Sequence, residues 1–160
     1  YWFTIEQKSA WPYQTSCLCG ALVGTKNTSL IDACGAFGYH LGLALQVLND
    51  MESIWCTDGK TDLAQGKITL ALLYGLTTNH PHQEELKFLV TSGNFANHES
   101  QIKQILDEIG TQEFLIWAAL KERELALAAL TGFPNHEGVE TLNDYMTGLF
   151  GDIDVLLSRE

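Results

Sequence analysis

Hydrophobic residues recur along this chain at the spacing of helices, and the alternation typical of strands is almost absent. The clearest stripe consists of four aliphatic side chains on one helical face, Ile102, Ile105, Leu106 and Ile109. Gly110 follows this stripe as a helix terminator. Residues 114–130, rich in alanine and leucine, form the strongest predicted helix. The pattern predicts an all-α bundle without a domain boundary, in which residues 1–160 form a single helical domain.

The other predicted elements are also helices, and they span residues 4–23, 30–54, 67–76, 82–90 and 139–157. Pro12 is expected to kink the first of these helices, because proline lacks an amide hydrogen and crowds the preceding turn. Ser29 is a typical cap for the second helix. Gly148 and Gly151 are expected to interrupt the last one. The polar stretch 55–65 predicts a loop.

The predicted helix over residues 30–54 is long and apolar enough to be compared with a membrane span. It contains Asp32, His40 and Gln46, and a spanning helix would bear a heavy free-energy cost for them. We therefore expect a buried core helix.

Composition and charge narrow the class of protein. The chain is 46% hydrophobic and 18% charged, which is typical of a globular protein. Its net charge is −11 with nine Lys and Arg residues, a balance that argues against binding nucleic acid or an anionic membrane surface.

The four cysteines, Cys17, Cys19, Cys34 and Cys56, show no spacing typical of a zinc site. We expect them to be buried free thiols, as in a reducing compartment. The N-terminal residues do not have the pattern of a signal peptide, so the expected location is the cytoplasm.

Four polar residues share one face at the end of the predicted helix 30–54, namely Gln46, Asn49, Asp50 and Ser53. The same face carries three glycines further back, namely Gly35, Gly38 and Gly42. One interpretation places a hard cation such as Mg²⁺ at the oxygen-rich end and an apolar ligand in the groove beneath. The alternative is close helix packing at the glycines with a solvated polar end.

Three lysines flank this helix end in an acidic chain. Lys8 lies early in the first helix, Lys60 in the loop after the polar face, and Lys67 at the start of the next helix. Together they would suit a diphosphate held between ammonium groups and Mg²⁺. Each lysine taken alone would more often be a solvated surface residue.

These positions resemble the trans-isoprenyl diphosphate synthases, the polyprenyl synthetase family. In that family a Lys-Thr pair precedes Phe-Gln-x-x-Asp-Asp-x-x-Asp, which is followed by Gly-Lys, Asp-Leu and a Lys-x-Thr-Leu helix start. The corresponding runs here are, in order, Lys8-Ser9, Leu45 to Ser53, Gly59-Lys60, Asp62-Leu63 and Gly66 to Leu70. The order and approximate spacing hold over residues 4–75.

The resemblance implies the C-terminal part of an isoprenoid synthase-type helical bundle. It implies a prenyltransferase, in which Mg²⁺ assists ionisation of an allylic diphosphate and isopentenyl diphosphate or another acceptor attacks the carbocation. The residues it assigns to the diphosphate are Lys8, Ser9, Gln46, Lys60 and Lys67, all but Ser9 also as catalytic residues. The residues it assigns to Mg²⁺ are Asn49, Asp50 and Ser53. A homodimer, or a heteromer with a partner subunit, is expected.

The chain departs from the family pattern in its acidic residues. Two of the three motif aspartates are Asn49 and Ser53 here, and no Asp-Asp pair occurs anywhere in the sequence. In the family, the first aspartate-rich motif lies upstream of the point where this chain begins, so it was either cut away or never part of this polypeptide. Because the chain does not begin with methionine, we expect a fragment or a processed chain. Because only the second, altered metal motif is encoded here, we expect this chain to be inactive by itself.

Two alternatives stay open. A non-catalytic subunit that regulates an active partner would explain the altered motif. Asn-Asp-x-x-Ser also resembles the second metal motif of class I terpene cyclases, although that motif ends in a glutamate where this chain has Thr57. An Asn-Asp variant is further similar to the isoprenyltransferases that modify a tryptophan of bacterial competence pheromones.

Overall fold

The computed structural model describes residues 1–55, 61–133 and 137–157. All regular elements within these ranges are helices, which confirms the predicted all-α fold. In chain order they are α1 (Trp2–Ile5), a π-helical turn (Glu6–Ala10), α2 (Trp11–Gly24), α3 (Thr28–Trp55), α4 (Leu70–Thr77), α5 (Gln83–Thr91), α6 (Phe95–Glu108), α7 (Thr111–Ala129) and α8 (Glu137–Leu157).

The first predicted helix is distorted ahead of Pro12. The amide of Trp11 donates to the carbonyl of Glu6, five residues back, so the chain makes one π-helical turn before α2 begins. Pro12 lies in the first turn of α2. It cannot donate to the carbonyl of Lys8, and its ring would crowd that carbonyl in an α-helix. The wider π-turn relieves this crowding. The predicted disturbance at Pro12 is therefore a π-helical turn and not a simple kink.

Helix α4 begins three residues later than predicted. Gly66 has φ +70°, a left-handed conformation that favours glycine. Thr69 is extended and caps α4, because its hydroxyl oxygen accepts a hydrogen bond from the amide of Leu72 at 3.4 Å. Lys67 therefore lies in the turn before α4, and its prediction as a helical residue was wrong.

The described residues divide into two compact units. Unit 1 comprises Tyr1 and the described residues within 46–118, and unit 2 comprises residues 2–45 and the described residues within 119–157. Helix α3 contributes its last ten residues to unit 1 and the rest to unit 2. The expectation of a single domain stays a prediction.

Helices α4, α5 and α6 pack together in unit 1. Gly75 allows the close approach, because a Cβ there would lie 2.8 Å from side-chain carbons of both Leu86 and Leu106. The predicted α6 stripe is confirmed in its three buried residues, Ile102, Ile105 and Leu106. Gly110 ends it with φ +70°.

The core of unit 2 is formed by α3, α7 and α8, with buried side chains at Phe37, Leu41, Ala119, Ala126, Met146 and Phe150. The guanidinium of Arg123 lies 5.1 Å from the centre of the Phe150 ring. Helix α8 runs through Gly148 and Gly151 without a break, so the predicted interruption was wrong. A Cβ at either glycine would meet nothing within 4 Å.

The glycine-bearing face of α3 is not an open groove. A Cβ at Gly35 would lie 2.7 Å from the side chain of Leu18, and one at Gly38 would lie 2.5 Å from the carbonyl oxygen of Tyr13. The glycines therefore admit α2 at close range, which favours the helix-packing alternative over the interpretation as an apolar ligand groove.

Helix α2 carries no charged residue, and its polar side chains, Gln14, Thr15 and Ser16, form no separate polar face. Although the structure describes all of it, none of its residues is buried, and Val23 is 92% exposed. Large exposed apolar surfaces of this kind are normally covered by other protein.

Among the described helices, α3 is long and apolar enough to cross a membrane. Core helices of globular proteins are often equally long and apolar. Its buried residues include Phe37, Leu41 and Ala44 in unit 2 and Val47 in unit 1, which is the pattern expected of a core helix.

Three cysteines lie within the described ranges, and all are free. Cys17 and Cys34 are half-buried and Cys19 is exposed, so the expected full burial was wrong. Burial raises the pKa of both Cys17 and Cys34. Cys56 lies outside the described residues.

Candidate functional site

The carboxylate of Asp50 is the centre of a hydrogen-bond network in unit 1. Asp50 is 4% exposed. It accepts hydrogen bonds from the hydroxyl of Tyr1 at 2.6 Å, from the side-chain amide of Gln46 at 2.7 Å and from the backbone amide of Leu70 at 2.7 Å. Burial and the bond to Asp50 raise the pKa of Tyr1 well above its usual range. Asp50 therefore fastens the end of α3 to the first turn of α4.

The other two motif residues have different surroundings. Asn49 is exposed, and Ser53 is half-buried, with its hydroxyl donating to the carbonyl of Asp50 at 2.9 Å. Asn49 thus faces solvent while its neighbour Asp50 faces protein. Four polar residues were predicted to share one face. In the structure Gln46 and Asp50 bond to each other, Ser53 bonds to the backbone of Asp50, and Asn49 faces solvent.

Lys67 is held at the same end of α3 by a tight turn. The amide of Asp62 donates to the carbonyl of Ser53 at 3.2 Å, and the amide of Lys67 donates to the carbonyl of Asp62 at 3.0 Å. The Lys67 ammonium lies 2.5 Å from the Asp62 carboxylate and its side chain is 57% exposed. Gly66 permits this turn through its positive φ. An accessible cation is therefore anchored beside the residues of the motif.

Two further predicted diphosphate ligands within the described ranges, Lys8 and Ser9, belong to the π-turn of unit 2. Lys8 is exposed and Ser9 is half-buried. Glu6, at the start of the turn, accepts a hydrogen bond from the hydroxyl of Tyr39 on α3 at 2.8 Å. Burial and this hydrogen bond raise the pKa of Tyr39 to about 12.

The structure thus brings together Gln46, Asn49, Asp50, Ser53 and Lys67 in unit 1. Lys8 and Ser9 are placed in unit 2. Lys60 lies outside the described residues. The diphosphate and metal roles of all these residues stay predictions.

The donor set at the end of α3 does not by itself fit a Mg²⁺ ion. Among the described residues, no group of three His, Cys, Asp or Glu side chains could hold a metal. The one aspartate of the motif, Asp50, already accepts three hydrogen bonds. Asn49 and Ser53 are neutral, whereas Mg²⁺ is normally held through at least one carboxylate.

Sequence reasoning missed several partners because they are distant in the chain. Tyr1 reaches Asp50 across 49 positions, and Tyr39 reaches Glu6 across 33. The ring of His40 lies 2.7 Å from the carboxylate of Glu122 on α7, although the sequence shows His40 as an isolated histidine. No local spacing identifies such pairs. Asp62 was part of the motif order quoted for the resemblance, but its ion pair with Lys67 was not predicted.

The family model described as polyprenyl synthetase matches residues 1–109. The chain belongs to the polyprenyl synthetase family.

Two curated relatives show how far the similarity extends. Component 2 of heptaprenyl diphosphate synthase from Bacillus subtilis is 31% identical over 111 residues, which cover 66% of this chain and 30% of the relative. Geranylgeranyl diphosphate synthase from Mycobacterium tuberculosis is 37% identical over 83 residues, covering 47% of this chain and 24% of the relative. The chain therefore spans less than half the length of these relatives.

A solved structure supports the fold. The geranylgeranyl pyrophosphate synthase of Corynebacterium glutamicum, crystallised with calcium and isoprenyl diphosphate, superposes with a TM-score of 0.80 at 24% identity. The match covers 89% of this chain and 46% of that one. The predicted isoprenoid synthase-type bundle is confirmed.

Proposed function

We propose that this chain contributes diphosphate-binding residues to a prenyltransferase that couples an allylic diphosphate to isopentenyl diphosphate or another acceptor. The named relatives synthesise heptaprenyl and geranylgeranyl diphosphates, which supports this class of substrate. The observation that carries the proposal is Lys67, anchored at the end of α3 within the region that the family model matches.

Lys67 has the properties required of a diphosphate ligand. Its ammonium is paired with Asp62 at 2.5 Å, yet more than half of the side chain remains accessible. Exposed ion pairs of this kind are worth at most about 1 kcal/mol. Phosphate oxygens can therefore share or replace Asp62, and the lysine charge then stabilises the negative charge on the departing diphosphate.

Lys8 and Ser9 are proposed as further phosphate ligands, because they occupy the family's Lys-Thr positions and Lys8 is exposed. Mg²⁺, which would neutralise the departing charge, is proposed to depend on carboxylates beyond those of this chain. Heteromeric assembly is also proposed, since two relatives are named as component 2 of heptaprenyl diphosphate synthase.

One observation favours a second candidate function, that of a non-catalytic subunit. The motif retains one aspartate, and Asp50 is engaged in structural hydrogen bonds. A subunit that keeps the fold and stabilises an active partner would need Asp50 only for these structural hydrogen bonds. The two candidates differ in diphosphate binding, which the following experiment measures.

Replacing Lys67 with alanine is expected to weaken binding of inorganic pyrophosphate by about 1.5–3 kcal/mol, the usual worth of a charge-assisted hydrogen bond. Calorimetric titration of the 160-residue chain provides the measurement. Lys87→Ala is the matched control, because Lys87 is also a lysine of unit 1 paired with a carboxylate, that of Glu84 at 2.7 Å, and its side chain is 44% exposed. Equal affinities of the Lys67 and Lys87 variants would remove Lys67 from the site.

Restoring a carboxylate at the solvent-facing motif position is expected to create Mg²⁺ affinity. Asn49→Asp should tighten Mg²⁺ binding by at least about fivefold, since two unit charges about 4 Å apart in water interact by about 1 kcal/mol. Asn97→Asp, at an exposed position of α6, adds the same charge elsewhere in unit 1. Calorimetry with MgCl₂ compares them, and an equal gain in both variants would show that position 49 has no special relation to the metal.

A further inference from the structure

The π-turn that carries Lys8 and Ser9 lies directly against α3 at Gly42. A Cβ added to Gly42 would be 2.6 Å from the carbonyl oxygen of Ser9 and 2.8 Å from the Cα of Ala10. Real Cβ atoms do not approach backbone atoms this closely, so any side chain at this position would push the turn away. The end of the turn, at Ser9 and Ala10, therefore packs directly against Gly42.

The start of the turn is held by the same helix. The hydroxyl of Tyr39 donates to the carboxylate of Glu6 at 2.8 Å. Tyr39 and Gly42 are three residues apart on α3, so they lie on neighbouring positions of one face. Helix α3 thus fixes the π-turn at Glu6 and again at Ser9-Ala10.

A π-turn requires such support. The i→i+5 pattern is rare, occurs mostly as single turns within α-helices and is frequent at functional sites. Here Pro12 also removes the amide that would bond the carbonyl of Lys8 in an α-helix. Backbone conformations of this kind persist where the surrounding structure determines them.

We propose that Gly42 and Tyr39 are positioning residues, which act through the π-turn to hold Lys8 and Ser9 in the conformation that binds a diphosphate. This inference rests on the proposed function, in which Lys8 and Ser9 are phosphate ligands. It gives Gly42 and Tyr39 a role that needs no contact with the ligand.

The test compares two glycine variants in binding of inorganic pyrophosphate, followed by ³¹P NMR titration of the 160-residue chain. Gly42→Ala places a methyl group against the carbonyl of Ser9. Gly38→Ala, one turn earlier on α3, places the same group 2.5 Å from the carbonyl of Tyr13. Both variants disturb the packing of α3 against a backbone carbonyl, but only the first displaces the turn that bears Lys8.

We expect Gly42→Ala and Lys8→Ala each to weaken pyrophosphate binding by about tenfold or more, as for loss of a charge-assisted hydrogen bond. Gly38→Ala should change the affinity by less than about twofold under conditions in which circular dichroism shows all variants folded. Gly42→Ala should cause a smaller further loss when Lys8 is already alanine, because the part of its effect that acts through Lys8 is then absent.

Tyr39→Phe keeps the ring and removes the hydroxyl, so it carries the test if Gly42→Ala does not fold. It should weaken binding by about threefold or more, a factor equivalent to part of one hydrogen bond.

The outcomes separate the inference from the function on which it rests. If the chain does not bind pyrophosphate, or if Lys8→Ala binds it as well as the original chain, the proposed role of Lys8 fails and the inference fails with it. If Lys8→Ala weakens binding while Gly42→Ala matches Gly38→Ala, or Tyr39→Phe has no effect, the proposed function stands and the positioning role is refuted.

Discussion

The free energy of unfolding is expected to fall by about 3 kcal/mol or more when Asp50 is replaced by alanine. The substitution leaves three donors without their acceptor, namely the Tyr1 hydroxyl, the Gln46 amide and the Leu70 backbone amide. Each buried donor that loses its partner costs about 1–3 kcal/mol. The Leu70 amide is fully enclosed at the start of α4, so solvent cannot readily replace the carboxylate. Urea unfolding followed by circular dichroism measures the change.

Two variants serve as controls for this prediction. Asn49→Ala alters the adjacent, exposed motif residue and should change stability by less than about 0.5 kcal/mol. Asp50→Asn keeps one accepting oxygen and should fall between the two. If Asp50→Ala proves as mild as Asn49→Ala, the carboxylate does not anchor α4 and is available to bind a metal ion.

The second large effect concerns catalysis. The 160-residue chain alone is expected to show no prenyl transfer with isopentenyl and allylic diphosphates in the presence of Mg²⁺. The sequence contains no Asp-Asp pair, and the motif carboxylate of Asp50 is engaged in the fold. The proposed chemistry relies on Mg²⁺ to neutralise the departing charge, and among the described residues no group of three His, Cys, Asp or Glu side chains could hold the ion.

Addition of a separately expressed upstream segment of a polyprenyl synthetase, bearing an aspartate-rich motif, is expected to produce activity. The apolar helix α2 is the proposed contact surface, because none of its residues is buried. Val23→Asp, at a position 92% exposed, should then reduce the activity of the mixture severalfold. Phe88→Asp, at a residue of α5 that is 71% exposed, should not. Turnover by the chain alone would contradict the prediction, and equal effects of the two aspartates would exclude α2 as the contact.

Local patterns in the sequence were sufficient to predict most helices. The α6 stripe follows from the period of 3.6 residues, which places Ile102, Ile105 and Leu106 on one face whatever the face contacts. Gly110 ends that helix because a left-handed residue there favours glycine. The disturbance near Pro12 likewise follows from the missing amide hydrogen. The order of the motifs also predicted the family, because motif order is read directly from the sequence and does not depend on tertiary contacts.

Tertiary structure decided what each helical face contacts. Asn49 and Asp50 are neighbours of similar size and polarity, yet Asp50 is buried because Tyr1 and Leu70 bring donors to it from distant parts of the chain. The glycines of α3 could have lined a ligand groove or a helix contact, and Gly42 lies against the turn that carries Lys8. Periodicity determines which residues share a face, since the helix is a local structure. It does not determine what covers that face, because the covering groups arrive through long-range packing.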